Sequence, residues 1–130
     1  MKILVDTNVL FSAILYENSR IAKGLAQVNT VHEIYLATQN ITELREIVRR
    51  KLPNRRKALE RFLKSLAYEV IPTTQAGDIK IRDVKDQPIL NAAKKYGVEV
   101  IITGDKDFLE LQSRRPRCMT MTEFLREYGE

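Results

Sequence analysis

Strand-like apolar runs alternate with segments of helical spacing from one end of this chain to the other, and few folds accept that alternation. Ile3, Leu4 and Val5 read as a buried first strand, Glu33–Ala37 as a second, and Glu69, Val70 and Ile71 as a third that stops at Pro72. Residues 98–102 are the most strand-like segment, and Arg117–Met119 is a weak last strand. Between them, Val9, Leu10, Ala13 and Ile14 begin a helix just after Asp6, and Ser19 can cap a second. Thr38 or Asn40 can cap a third helix, which Pro53 interrupts. Ala58, Leu59, Phe62 and Leu63 repeat at helical spacing, and Ile89 to Tyr96 form an amphipathic helix that Gly97 ends. A short helix follows Asp105, and Thr120 or Thr122 can cap a last one carrying Phe124 and Leu125. Residues 73–85 read as a linker. Strands separated by helices imply parallel pairing through right-handed crossovers, hence an α/β fold. The expected architecture is a three-layer α/β/α sandwich around a central, mainly parallel sheet, with all of 1–130 in one domain.

Four acidic residues sit where these elements change over. Asp6 ends the first strand, Glu43 lies in the first turn of the third helix, Asp86 precedes the helix of Ile89, and Asp105 follows the strongest strand. Each has a bland reading by itself. An aspartate before a helix caps it for about 1 kcal/mol, and a glutamate in a first turn favours the helix dipole. Together they say more. The strands before Asp6 and Asp105 would be central neighbours, and ligands of open α/β sheets bind at the carboxyl edge of such strands. Converging carboxylates repel, and a bound divalent cation removes that cost.

The composition is that of a soluble globular protein. A chain of 130 residues buries roughly two thirds of its unfolded surface, enough for a core without staples. The single cysteine, Cys118, forms no internal disulfide and reads as a small hydrophobe. No apolar stretch approaches the roughly 20 residues of a membrane span, and no secretory signal opens the chain, so a cytoplasmic location is expected. The formal charge of +5 favours a polyanionic partner. Residues 49–64 carry eight lysines and arginines, among them Arg49, Arg50, Arg55 and Arg56, against one acid, Glu60. That stretch reads either as a solvated face or as a phosphate-tracking surface beside the acids.

The segments Leu4-Val5-Asp6-Thr7-Asn8-Val9-Leu10, Thr42-Glu43-Leu44, Asp86-Gln87-Pro88-Ile89-Leu90-Asn91-Ala92-Ala93 and Ile102-Thr103-Gly104-Asp105-Lys106-Asp107-Phe108, in this order and spacing, resemble the PIN domain, a nuclease family. The compact length, Arg82-Asp83 ahead of Asp86, and Thr103-Gly104-Asp105 with Asp107-Phe108 look like the VapC-like toxins of toxin–antitoxin pairs. The resemblance implies a Mg²⁺- or Mn²⁺-dependent ribonuclease, often dimeric and inhibited by a cognate antitoxin. It implies Asp6, Glu43, Asp86 and Asp105 as catalytic acids and metal ligands. Asp107 stands as an alternative last ligand and Asp83 as a further candidate.

The chemistry that fits is phosphodiester hydrolysis by one or two ions on carboxylate oxygens, which suit Mg²⁺. Asn8 and Thr103 are placed to meet substrate, and Thr103 could instead orient a carboxylate. His32, the only histidine, lies before the second strand and is expected to be structural. Phe11, Leu15, Ile21 and Leu25 supply apolar surface for a two-fold homodimer. Two rivals remain. A phosphatase of the haloacid-dehalogenase type wants an aspartate two places after Asp6, where this chain has Asn8, and a phosphotransfer receiver gives Glu43 no role. A catalytically silent RNA- or protein-binding module on the same fold is the non-enzyme alternative.

Overall fold

A computed structural model of the chain describes residues 1–73 and 86–129. The first apolar run forms β1 (Lys2–Val5) and passes at Asp6 into α1 (Thr7–Leu15). Ser19 caps α2 (Arg20–Val31), its hydroxyl oxygen accepting the Ala22 N–H at 3.2 Å. Then follow β2 (Glu33–Ala37) and α3 (Thr38–Lys51). Pro53, which lacks an N–H and cannot continue a helix, opens a 3-10 turn (Pro53–Arg55) before α4 (Arg56–Ser65). β3 (Tyr68–Ile71), α5 (Gln87–Lys95), β4 (Val100–Ile102), α6 (Lys106–Leu109), β5 (Arg117–Met119) and α7 (Met121–Tyr128) complete the order. The expected linker lies, apart from its first residue Thr73, outside the described residues.

The strands form one sheet in the order β3-β2-β1-β4-β5, and every pairing is parallel. The chain winds outward from β1 through β2 to β3 and then returns to the other side of β1. The direction of winding therefore changes between β1 and β4, the place where open α/β sheets leave a crevice at the strand ends.

Both faces of the sheet are covered, and the side-chain period of two sorts residues between them. Ile3, Val5, Ile34, Leu36, Val100, Ile102 and Met119 point into a core shared with α1, α2, α3, α4 and α7. Leu4, Tyr35, Ala37 and Ile101 point the other way, toward α5 and Phe108 of α6. Strands buried on both faces explain why the runs read as continuously apolar rather than alternating. This is the expected three-layer α/β/α sandwich.

Several element ends differ from the sequence reading. β4 starts at Val100 rather than 98, because the Val98 N–H goes back to the Ala93 carbonyl at 2.9 Å as part of the α5 terminus. Gly97 stands there with φ of 73°, a left-handed conformation that a β-carbon disfavours. Neither Thr38 nor Asn40 occupies the cap of α3. Ala37 does, and its N–H is taken by Asn40 Oδ1 at 3.0 Å from inside the first turn. Because α3 begins at Thr38, Glu43 lies in its second turn, not its first. Thr120, not Thr122, caps α7, in a reciprocal pair of hydrogen bonds with Glu123. Leu25, expected to add surface for a dimer, is 2% exposed and belongs to the core. Among the described residues, no helix is long and apolar enough to cross a membrane.

Candidate active site

The parallel sheet brings the ends of β1, β2 and β4 to one edge, and the acids follow from there. The register pairs Val5 with Ile102, so the next residues, Asp6 and Thr103, leave the sheet side by side. The Asp6 N–H closes this ladder on the Ile102 carbonyl at 2.9 Å, and the Thr103 N–H does the same on Met119 at 3.0 Å. Two rigid ladders thus hold the backbone of both residues.

Asp6 is 5% exposed, and each of its carboxylate oxygens accepts a hydrogen bond. Oδ1 takes the Thr7 N–H at 2.9 Å, and Oδ2 takes the Thr103 hydroxyl at 2.9 Å. Burial pushes the Asp6 carboxyl up to about 6. The bonds from Thr103 and Thr7 oppose that rise, and the carboxylates of Asp105 and Glu43 add to it. Asp6 therefore feels the charge of two of the other predicted acids.

Asp105 joins through the same threonine. Its N–H donates to Thr103 Oγ1 at 2.9 Å, and its own Oδ1 caps α6 by accepting the Asp107 N–H at 2.8 Å. The cap reading and the edge position hold together here. Asp107, half-buried, sits in the first turn of α6.

Glu43 is tied to the same edge from α3. Its Oε1 lies 3.5 Å from the Thr7 hydroxyl and 3.5 Å from Gln39 Nε2. Thr7 in turn accepts a hydrogen bond from Asn40 Nδ2 at 3.1 Å. Asn40 is wholly buried, and it spans from the α3 terminus to the first helix. Sequence reasoning placed Asn40 only as a cap. The available signal was its position one turn ahead of Glu43, since residues three apart share a helix face.

Asp86 is buried at the start of α5, and its side chain makes no capping hydrogen bond to that helix. The capping explanation for this aspartate therefore does not hold. At its far end α5 turns at Gly97 and enters β4 within a few residues. A helix that ends beside the start of a strand runs back from that strand's carboxyl side, and Asp86 stands at the N-terminus of α5. Asp83 lies outside the described residues. Asn8 is exposed in the first turn of α1, beside Asp6. His32 is remote, with Nδ1 3.1 Å from the Met1 amine and its ring edge-on to Phe124.

Among the described residues, no three or more His, Cys, Asp or Glu side chains close around a point that could hold an ion in this arrangement. The donor chemistry nevertheless fits a hard divalent cation. Asp6, Glu43 and Asp105 offer carboxylate oxygens, mutually repulsive at Asp6, and among the described residues no lysine or arginine bonds to Asp6 to neutralise it. Cys118 on β5 lies close behind. Burial, and then the charge of Asp6, pushes its thiol up to about 12, so it presents no thiolate to a metal.

The predicted basic residues do not form one surface. Arg49 is held by Glu46 at 2.6 Å and Arg55 by Glu17 at 3.3 Å, while Arg50 and Arg56 are exposed. Arg49 and Arg56, with Arg45, Lys57, Arg61 and Lys64, line a groove of about 1290 Å³ between α3 and α4. Arg50 and Arg55 stand outside it. Its lining includes none of Asp6, Glu43, Asp86 and Asp105.

The family model described as PIN domain matches residues 2–107. The fold is similar to a chain of VapBC2 from Rickettsia felis, crystallised bound to a DNA fragment from its promoter. The TM-score is 0.67 at 16% identity, over 92% of this chain and 97% of that one. No curated protein matches the chain.

Proposed function

The chain belongs to the PIN domain family, and from that premise we propose that it is a divalent-metal-dependent ribonuclease, the toxin of a toxin–antitoxin pair. The observation that carries this reading is the buried Asp6 carboxylate, bonded by Thr103 and repelled by Asp105 and Glu43. A buried acid held ionised against like charges is costly without a cation to meet it.

Asp6, Glu43, Asp86 and Asp105 would hold Mg²⁺ or Mn²⁺, with Asp107 at the periphery. When bound, such an ion acidifies a water and offsets the charge that develops on the phosphate. The protein's own residues do the positioning. Thr103 aims one oxygen of Asp6 and fixes the Asp105 backbone through a single hydroxyl. Thr7 does the same for Asp6 by its N–H and for Glu43 by its hydroxyl, with Asn40 behind it. Carboxylates locked in this way lose little freedom on meeting an ion or a phosphate. Asn8, exposed next to Asp6, is available to a substrate oxygen. Exposed Arg50 and Arg56 would supply phosphate contacts without sequence choice.

The likeness to a VapBC2 chain supports a cognate antitoxin as partner. Half-buried Phe11, Leu15 and Ile21 support a homodimer, which sedimentation at micromolar concentration tests.

The decisive experiment is RNA cleavage with and without metal. Activity should vanish in EDTA, return with Mg²⁺ or Mn²⁺, and be absent from Asp6→Asn at every metal concentration. An Asp6→Asn protein that cuts as fast as wild type excludes the mechanism, and a wild type that binds RNA but never cuts it leaves the silent binding module.

A further inference from the structure

The groove between α3 and α4 has a charge balance that the sequence stretch alone conceals. Its two acids are both engaged, Glu46 with Arg49 at 2.6 Å and Glu60 with Arg45 at 3.0 Å. These four residues cancel in pairs. Arg56, Lys57, Arg61 and Lys64 remain, all exposed, and none of them forms an ion pair among the described residues.

Helical spacing arranges three of them in a row. Lys57, Arg61 and Lys64 lie at i, i+4 and i+7, so they share one face of α4, while Leu59 and Leu63 are buried on the other. At about 1.5 Å of rise per residue, the row is roughly 10 Å long, with a charge every turn. The only apolar side chains in the lining are Pro53 and Leu59, and Leu59 is 3% exposed. The rest of its apolar surface comes from the stems of its arginines and lysines, which carry their charges to solvent. A polyanionic strand needs only the charges. At one end the groove includes Thr42, the neighbour of Glu43 on α3.

We infer that the row Lys57–Arg61–Lys64, with Arg56, is a track for the phosphate backbone of single-stranded RNA, leading along the α3–α4 groove to the carboxylate edge. This rests on the ribonuclease reading above. The track gives affinity and no base choice, because cations bond phosphates and no aromatic ring lines the groove for stacking. It sits apart from the acids, so it governs long substrates and not the chemical step.

The test uses the full chain with Lys57, Arg61 and Lys64 all changed to Gln, beside a charge-retaining variant with Lys57→Arg, Arg61→Lys and Lys64→Arg. Binding of a labelled long single-stranded RNA is measured in EDTA across a salt series. Each phosphate contact on a single strand contributes about 0.7 to the slope of log K against log salt, so losing three contacts should flatten the Gln variant's slope by about 2. The charge-retaining variant should keep the wild-type slope. With Mg²⁺, the Gln variant should show a raised KM on the long RNA and an unchanged kcat, and should cut a trinucleotide as wild type does. A Gln variant with the wild-type slope and KM overturns the track and leaves the groove to a protein partner. A wild type that binds in EDTA but cuts nothing with Mg²⁺ or Mn²⁺ refutes the ribonuclease reading, and with it the RNA route to the acids.

Discussion

The Thr103 hydroxyl donates to Asp6 Oδ2 at 2.9 Å across the seam between β4 and β1, the point at which the sheet changes its direction of winding. One side chain thereby couples two of the predicted acids, since the same oxygen accepts the Asp105 N–H at 2.9 Å. Neither bond is optional for a site this buried. An ionised carboxylate out of water needs donors, and a backbone N–H at a helix start needs an acceptor.

Thr103→Val keeps the shape and removes both bonds. Leaving buried partners unsatisfied costs about 1–3 kcal/mol, so the urea midpoint should fall accordingly, while Thr103→Ser should recover most of it. Cleavage should drop further than stability does, because the Asp6 carboxylate loses its aim. Equal midpoints for Val and wild type would show that the bond is not formed in solution.

Asp6→Asn should make the metal-free protein more stable above pH 6. The folded-state value of about 6 lies above the ordinary 3.8, so between these two the folded chain keeps a proton that the unfolded chain has released. Stability conferred by Asp6 therefore declines as pH rises through that window and stays low beyond it. Two pKa units correspond to about 3 kcal/mol at most, and the asparagine escapes that cost. Thermal unfolding in EDTA should show the mutant ahead at pH 7.5 and no longer ahead near pH 4. Saturating Mg²⁺ should raise the wild-type melting temperature and leave the mutant's nearly where it was.

Asn40→Ala should loosen the start of α3. The change removes the acceptor of the Ala37 N–H and the donor to Thr7 in a fully buried place. A loss of about 1–3 kcal/mol is expected from the unsatisfied groups, larger than for an exposed helix residue. Hydrogen exchange of the amides from Thr38 to Glu43 should speed up more than that of α5. Uniform acceleration across both helices would mean that Asn40 stabilises only the whole fold.

Cys118 should resist alkylation. Burial and the neighbouring Asp6 charge push its thiol up to about 12, which leaves almost no thiolate at pH 8. Iodoacetamide should label the native protein far more slowly than the urea-unfolded one, and Asp6→Asn should shorten that gap by removing the charge. Native labelling at the unfolded rate contradicts the burial of this residue.

The layers, and the edge at which Asp6 and Asp105 stand, were legible in the chain. Both follow from local rules. An apolar run of four or five residues between helical segments becomes a buried parallel strand, and the residue that ends it stands at the strand's carboxyl end. Asp6 and Asp105 were legible in this way, as were Ser19 as a cap and Gly97 as a helix terminus, because each depends on neighbours within a turn or two. Which side chains meet, by contrast, is settled by packing. Asp6 and Thr103 are 97 positions apart, and nothing local predicts that register. The link from Asn40 through Thr7 to Glu43 likewise joins α3 to α1, and it depends on how two helices pack. The basic stretch divided for the same reason. Its residues look alike in sequence, but Glu46 and Glu17 hold Arg49 and Arg55 while the turn at Pro53 presents Lys57, Arg61 and Lys64 to the groove. Composition sets a charge, and the fold decides which charges stay available, because pairing depends on distances that the chain acquires only when its helices pack.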